Sequence, residues 1–475
     1  MNYRIEHDYM GDVKVPSDAY WGVQTQRAVE NFPISGIRPL EDYTISIVMI
    51  KKAAAAANGE IGLLDKKIAR SIIKAADEVL SGKFSDQFVV DIYQAGEGTS
   101  NNMNVNEVLA NRAIELLKGK KGDYTVVHPN DHVNMGQSSN DVIPTAVKLA
   151  ALKLSSELVK SLEKLSGSLH RKSREFNSVI KSGRTHLMDA APIRLGQEFL
   201  AWSDLIKDST ARINASAKRL LEINLGATAV GTGVNADPRY VKLAVKKLSQ
   251  YTGFKLTQAK DLPKVTESSS DLLDLSGSLR VLAADIIKIA NDLRLMNSGP
   301  ITGLAEITLP AVQPGSSIMP GKVNPSIAEM VDMVGFRVIG DNETIMLATQ
   351  AAQLELNVME PIITYCLLHD LTILKNAVSV MSEKMIDGIT ANKSHMKEMV
   401  EKTPGVGLLL NPYLGYEKAA GLVKKAVSQN RSVRDVVEES GLLDKKTIDK
   451  IFDPYNLTSP RKLTDSKKKK GTGKT

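Results

Sequence analysis

Leu272, Leu275, Leu279, Leu282, Ile286, Ile289 and Leu293 alternate spacings of three and four residues without a break. Such a run is a helix with one continuous apolar seam, and the spacing suits near-parallel packing against other long helices. Leu154, Leu158, Leu162, Leu165 and Leu169 mark a second stripe with the same helical period. Residues 196–223 and 326–350 also read as helix, with Gly335 and Gly340 as points where the second could break. The chain therefore predicts a mainly all-α protein with a central bundle of long helices. The first ~135 residues mix short helical stretches with turn signals. After about residue 390 the pattern shortens, with Pro404, Pro412 and Pro454 between small helices. The expected division is 1–137, a bundle at 138–392, a small helical domain at 393–460 and a basic disordered tail at 461–475.

Composition narrows the class. The net charge is +7, but residues 461–475 alone carry +6, which leaves +1 on the other 460. A nearly neutral body does not point to nucleic acid. No apolar run approaches the ~18 residues of a membrane span. The opening "MNYRIEHDYMGD" is polar and acidic, unlike a secretory leader. The single cysteine, Cys366, cannot form an internal disulfide. The expectation is a reducing, cytoplasmic setting.

If the long helices form the core, chemistry belongs to the segments that connect them. These are 95–104, 128–146, 182–192, 226–236 and "GSSIMPGKVNP" at 315–325. Their polar residues include Thr99, Asn102, Ser138, Ser139, Asn140, Thr185, His186, Ser316, Lys322 and Asn324. The set is rich in hydroxyls and amides and holds one lysine and one histidine. Neutral donors with one cation suit a small dianion and a charge that grows during reaction. Taken alone, Ser138–Asp141 is an ordinary helix cap. His128 and His132 stand four apart, but Pro129 disfavours the helix that would align them on a metal. "GTGVNA" at 231–236 lacks a preceding strand, and the closing "GTGKT" lacks the earlier glycine of a phosphate loop. A metal site is therefore not expected from these residues, nor a dinucleotide or phosphate loop.

Together the segments carry a resemblance that none carries singly. "GTSNNMNVNEVLANR", "HPNDHVNMGQSSND", "SGRTHLMDAAPIRLGQEF", "GATAVGTGVNA", "IANDLRLMNSGPITGLAEI" and "GSSIMPGKVNP" resemble the motifs of the fumarase/aspartase superfamily, in family order. The likeness runs to about residue 455. It implies a three-domain, tetramer-forming fold, active sites shared between subunits, no cofactor, and elimination of a group β to a carboxylate. Carried over by position, Ser316 is the general base, His186 handles the leaving-group side, and Glu329 orients that histidine. Thr99, Asn102, Ser138, Ser139, Asn140, Thr185, Lys322 and Asn324 bind substrate. His128, Asn130 and Asp131 resemble a secondary dicarboxylate site. "QSSND" and "SGPITGLAEI" resemble family members that hydrate fumarate to L-malate, and family members acting on L-aspartate usually have Thr at the place of Ser139. "ELNVMEP" and "NDLRLM" look more like the aspartate-specific members, so ammonia elimination stands as the alternative. A non-catalytic helical scaffold is the third reading, disfavoured by the full set of polar connector residues.

Overall fold

The protein is described by a computed structural model that covers residues 2–460. The basic-tail expectation, 461–475, lies outside the described residues. The chain begins with hairpin β1 (Tyr3–Asp8) and β2 (Gly11–Pro16), followed by α1 (Val23–Asn31), α2 (Glu41–Glu60), α3 (Lys66–Leu80) and α4 (Thr99–Leu116). Next come α5 (Ser139–Glu175), hairpin β3 (Ile180–Thr185) and β4 (Met188–Arg194), α6 (Leu195–Arg219), α7 (Pro238–Thr252) and α8 (Leu262–Glu267). α9 (Ser270–Met296), α10 (Ser326–Gln350) and α11 (Glu360–Lys384) complete the long helices. α12 (Lys393–Lys402), α13 (Asn411–Leu414), α14 (Tyr416–Ser428), α15 (Val433–Ser440), α16 (Lys445–Ile451) and α17 (Pro454–Thr458) close the described chain.

The expected mainly helical architecture is borne out. All seven residues of the Leu272–Leu293 seam are buried, as are all five of the Leu154–Leu169 stripe. α10 runs unbroken through Gly335 and Gly340, because glycine weakens a helix without removing a backbone donor. The amino-terminal part is also less fragmented than its turn signals imply. α2 has 20 residues and α4 has 18, since the alanine-rich run 53–57 favours helix and is thin enough for close packing.

Two compact units emerge. The first comprises the described chain up to Lys160 with Ser209–Ala284 and Val334–Asn376. Within it α2 packs on α3 and α7, and α4 packs on α1 and α3. Ser216 and Ser278 join α6 to α9 at 2.8 Å, and Asn342 Nδ2 donates to Ser276 Oγ at 2.8 Å between α10 and α9. Capping places α7: Asp237 accepts from the Arg239 N–H, Pro238 takes the first helical position, and Gly253 ends the helix at φ 75°.

The second unit comprises Ser161–Asp208, Asp285–Met333 and the described residues from Ala377 onward. Ser168 and Ser382 join α5 to α11 at 2.9 Å, and Ser203 Oγ donates to the Ser166 carbonyl between α6 and α5. The short terminal helices have their own apolar centre, which includes Val406, Leu410, Val436, Val437, Ile448 and Ile451. Hence α5, α6, α9, α10 and α11 each contribute residues to both units.

Candidate active site

The first unit holds a cluster of buried or half-buried polar residues where two helices begin. Gly98, at φ 79°, turns the chain into α4 so that Thr99 is its first residue. Ser138 precedes α5, and its hydroxyl accepts from the Asn140 N–H at 3.2 Å. Asp141 returns the bond by accepting from the Ser138 N–H at 3.0 Å, a reciprocal cap. Thus Thr99 and Asn102 lie in a helix, not in the connector the sequence suggested, while Ser138–Asp141 is the helix cap it read as. Thr99 Oγ1 donates to Ser139 Oγ at 2.9 Å, and Asn102 Nδ2 donates to the same oxygen at 3.0 Å. Two helix starts, each with a partial positive charge, therefore meet at one serine hydroxyl.

Pro144 sits inside α5 and cannot donate to the Asn140 carbonyl four residues back. Buried Asn224 supplies the missing donor: its Nδ2 reaches that carbonyl at 3.0 Å. The Asn140 side chain meanwhile donates to the Ala229 carbonyl at 2.7 Å. Asp141 Oδ2 accepts from the N–H groups of Gly226 and Thr228, both at 3.0 Å. The glycine-rich connector at 226–236 is thereby held against the start of α5. Burial pushes Asp141 up to about 6, against the pull of its three backbone donors and Lys51. Lys51 itself is fully buried and donates to Asn134 Oδ1 at 2.7 Å and Gln137 Oε1 at 3.0 Å. Burial pulls its ammonium down to about 7, with Asp141 opposing.

The second unit holds the remaining catalytic candidates. The segment 182–192, read as a helix connector, is most of a β-hairpin. Thr185 pairs with Met188 across a two-residue turn made by His186 (φ 55°) and Leu187 (φ 61°). A tight hairpin turn of this handedness normally takes Asn or Gly, so two bulky residues here hold local strain. A register shift opposite Gly183 bulges β4, where Ala190 and Ala191 face that one glycine, and a Cβ on Gly183 would stand 2.4 Å from the Ala191 carbonyl oxygen. Beneath the turn, fully buried Glu306 faces Arg184 Nη1 and Lys181 Nζ, each at 2.8 Å. The Lys181 contact is an ion pair off the hydrogen-bonding axis; its aligned bonds go to Glu198 at 3.0 and 3.1 Å.

The loop 315–325 closes on itself. The Gly315 N–H donates to the Lys322 carbonyl at 2.8 Å, and Asn324 Nδ2 donates to the Gly315 carbonyl at 2.7 Å. A Cβ at Gly315 would lie 2.7 Å from the Asn324 nitrogen, which explains the glycine. Ser316 Oγ accepts from the N–H groups of Met319 at 2.9 Å and Ile318 at 3.2 Å. Two donors on one hydroxyl oxygen favour its anionic form. Ser317 and Lys322 are exposed, as are the apolar Ile318, Met319 and Val323. Among the described residues no hydrogen bond or ion pair links the loop to Thr185 or His186, or His186 to Glu329 in the first turn of α10.

His128 caps a single π-type turn, Pro129–Val133, that contains Asn130 and Asp131. His128 Nδ1 accepts from the Asn130 and Asp131 N–H groups at 3.1 and 3.2 Å. The Asp131 carboxylate lies 3.6 Å from the same nitrogen. His132 Nδ1 accepts from the His128 N–H at 2.8 Å. Among the described residues one group of metal-capable side chains, Asp341, His369 and Asp370, has ligand atoms within 4.8 Å of one another. Asp341 already pairs with Arg337 Nε at 2.7 Å, and Asp370 is pushed up to about 9 by burial and by Asp341.

Sequence reasoning read Asp141 only as part of a cap and missed Lys51, Asn134, Asn224, Lys181, Arg184 and Glu306. Several lie inside the quoted motifs, but nothing in their spacing separates a supporting charge from an exposed one.

A family described as lyase matches residues 11–340, and one described as fumarase C C-terminus matches residues 409–459. The aspartate ammonia-lyase of Bacillus subtilis (strain 168) is 49% identical over 458 residues, covering 96% of each chain. The class II fumarate hydratase of Xylella fastidiosa (strain Temecula1) is 47% identical over 457 residues, covering 96% of this chain and 95% of its own. A fumarate lyase:delta crystallin from Brucella melitensis, solved bound to cobalt, superposes with a TM-score of 0.93 at 44% identity. That superposition covers 97% of this chain and 100% of the other. Family motifs, helical architecture and near full-length identity converge, and this chain belongs to the fumarase/aspartase superfamily of lyases.

Proposed function

We propose that this lyase catalyses the reversible hydration of fumarate to L-malate. The observation that carries the reading is Ser316, whose hydroxyl already accepts two backbone N–H donors in a loop that also presents Lys322 and Asn324. Ser316 Oγ removes the C3 proton of malate, and Lys322 and Asn324 hold the adjacent carboxylate as it becomes a doubly charged enolate. Thr99, Asn102, Ser138, Ser139 and Asn140 receive the substrate's polar groups with neutral donors. Thr185 and His186 serve the departing hydroxide on the opposite face, with Glu329 setting the histidine's charge. Closure of the loop excludes water around the developing charge. His128, Asn130 and Asp131 form a secondary dicarboxylate site without a catalytic role.

Ser139 favours water over ammonia as the group added. Its hydroxyl is held by Thr99 and Asn102, and it stands where aspartate-specific relatives usually carry threonine. Ammonia elimination from L-aspartate remains the second reading, favoured by the 49% identity to a Bacillus enzyme and by "ELNVMEP". We further propose a cytoplasmic homotetramer with shared sites, a body divided at about residues 137 and 392, and no required metal. Fumarate absorbance measured separately with L-malate and L-aspartate, each with and without a chelator, tests activity and metal independence together. Fumarate from aspartate alone would replace the first reading by the second.

A further inference from the structure

We infer that Lys51 is a positioning residue for the substrate dianion, holding a positive charge one layer behind the neutral donors that touch it. The inference rests on the dicarboxylate-lyase reading above. None of the five first-unit residues assigned to substrate, Thr99, Asn102, Ser138, Ser139 and Asn140, carries a charge. Neutral donors alone compensate a carboxylate weakly when water is excluded. Lys51 lies on α2, fully buried, and its ammonium has side-chain oxygens on two sides, Asn134 Oδ1 and Gln137 Oε1.

The connection to the site is direct. Asn134 Oδ1 accepts from Lys51 at 2.7 Å and from Asn102 Nδ2 at 3.3 Å, and Asn102 Nδ2 also donates to Ser139 Oγ at 3.0 Å. Lys51 thereby holds Asn134 Oδ1 in place as an acceptor for Asn102, while Asn134 Nδ2 donates to the Gln137 carbonyl at 3.1 Å. The 134–137 turn leading into Ser138 and Ser139 is therefore built around the ammonium. Asp141 fixes the far end of the same segment through the Ser138 N–H. A buried cation and a buried anion clamp the two ends of the substrate-facing stretch.

The chain of contacts also limits the distance. Links of 2.7, 3.3 and 3.0 Å place Lys51 Nζ within about 9 Å of Ser139 Oγ. A carboxylate oxygen bonded to that hydroxyl lies within about 12 Å of the ammonium. At an effective dielectric of about 20, a full charge at that range changes affinity by roughly tenfold; a bent path raises that figure and the opposing charge of buried Asp141 lowers it. The cation does not contact the substrate, so the effect belongs to binding more than to proton transfer. The amine's lowered affinity for its proton fits the role, since an arriving anion stabilises the charged form.

Lys51→Met and Lys51→Gln both remove the charge, and the glutamine retains a donor for Asn134. Lys51→Arg retains the charge. The readouts are the affinity for succinate, an unreactive four-carbon dianion, by titration calorimetry, and the separate kcat and KM of whichever substrate the native enzyme turns over. The expected result is a succinate affinity weaker by roughly tenfold in both neutral variants, a parallel rise in KM, kcat within a few-fold, and recovery in Lys51→Arg. Native-like affinity in a folded neutral variant would overturn the inference, as would an equal loss in a folded Lys51→Arg. Failure of both neutral variants to fold would also overturn it, because the charge would then serve the fold. If the native enzyme itself does not bind succinate, the dicarboxylate reading fails instead.

Discussion

Glu306→Gln tests whether a buried charge cluster holds the hairpin that presents Thr185 and His186. Glu306 is fully buried between Lys181 and Arg184, each at 2.8 Å. Glutamine keeps an acceptor for Arg184 but turns an amide toward Lys181 and leaves two cations against the single charge of Glu198. Breaking a buried pair by removing one partner costs about 3–5 kcal/mol. Arg184 is partly open to water and Lys181 keeps Glu198, so about 3 kcal/mol is expected. Lys181→Met removes the cation that Glu306 balances and leaves Glu198, whose proton affinity burial already raises, free to take a proton at modest cost. The double variant should therefore be about 1–2 kcal/mol more stable than the sum of the single losses. Urea unfolding at one protein concentration measures all four proteins. Activity should fall as well, because Arg184 adjoins Thr185 and the strained turn. Losses that add within ~0.5 kcal/mol would refute the coupling, and native-like kcat in Glu306→Gln would refute the positioning role.

Ser316→Ala should lower kcat by roughly 10²–10⁴ with succinate still bound, whereas Ser317→Ala should be milder; equal effects from the two variants would mean that both serines only shape the turn. Lys322→Ala should impair both affinity and turnover, since it removes a cation from the ground state and the enolate alike, and a loss confined to kcat would contradict its binding role. Mixing inactive Ser316→Ala with inactive His186→Asn after dissociation should restore partial activity if sites are shared; no recovery from reassembled protein would remove that part of the account. Asp370 provides a test by pH. Burial and Asp341 push it up to about 9, so the folded protein retains a proton that the unfolded chain releases near pH 4. This group alone makes stability fall as pH rises through that window, by up to about 1.4 kcal/mol per unit. Asp370→Asn mimics the protonated form, and its stability relative to the native protein should grow from pH 6 to 8.5. A constant difference would show that Asp370 is already ionised.

The apolar seams were legible in the sequence because a helical period is a local signal, and both long stripes proved buried. Helix boundaries around the site were not. Thr99 read as a loop residue, and the helix after the Ser138–Asp141 cap was cut short at 146, because the glycines, serines and asparagines beside them are also turn residues. In the structure those same residues start and cap α4 and α5. Pro144 gives a stop signal that buried Asn224, 80 residues later, cancels by supplying the lost donor. The hairpin at 180–194 was hidden because its turn is His-Leu rather than Asn-Gly. The residue types of the site were visible, since Ser316, Lys322 and Asn324 share one short motif. Lys51 and Glu306 were invisible as supports, because a lysine in an alanine-rich helix and a glutamate in a loop look solvent-facing until tertiary contacts bury them.

The most direct test of the central claim is the initial rate of fumarate formation by the purified full chain, from L-malate and from L-aspartate at equal concentration. The account predicts steady fumarate release from L-malate, its reversal when fumarate is supplied, and little or none from L-aspartate. Fumarate and ammonia from L-aspartate with no turnover of L-malate would contradict it and make this member of the superfamily an ammonia-lyase.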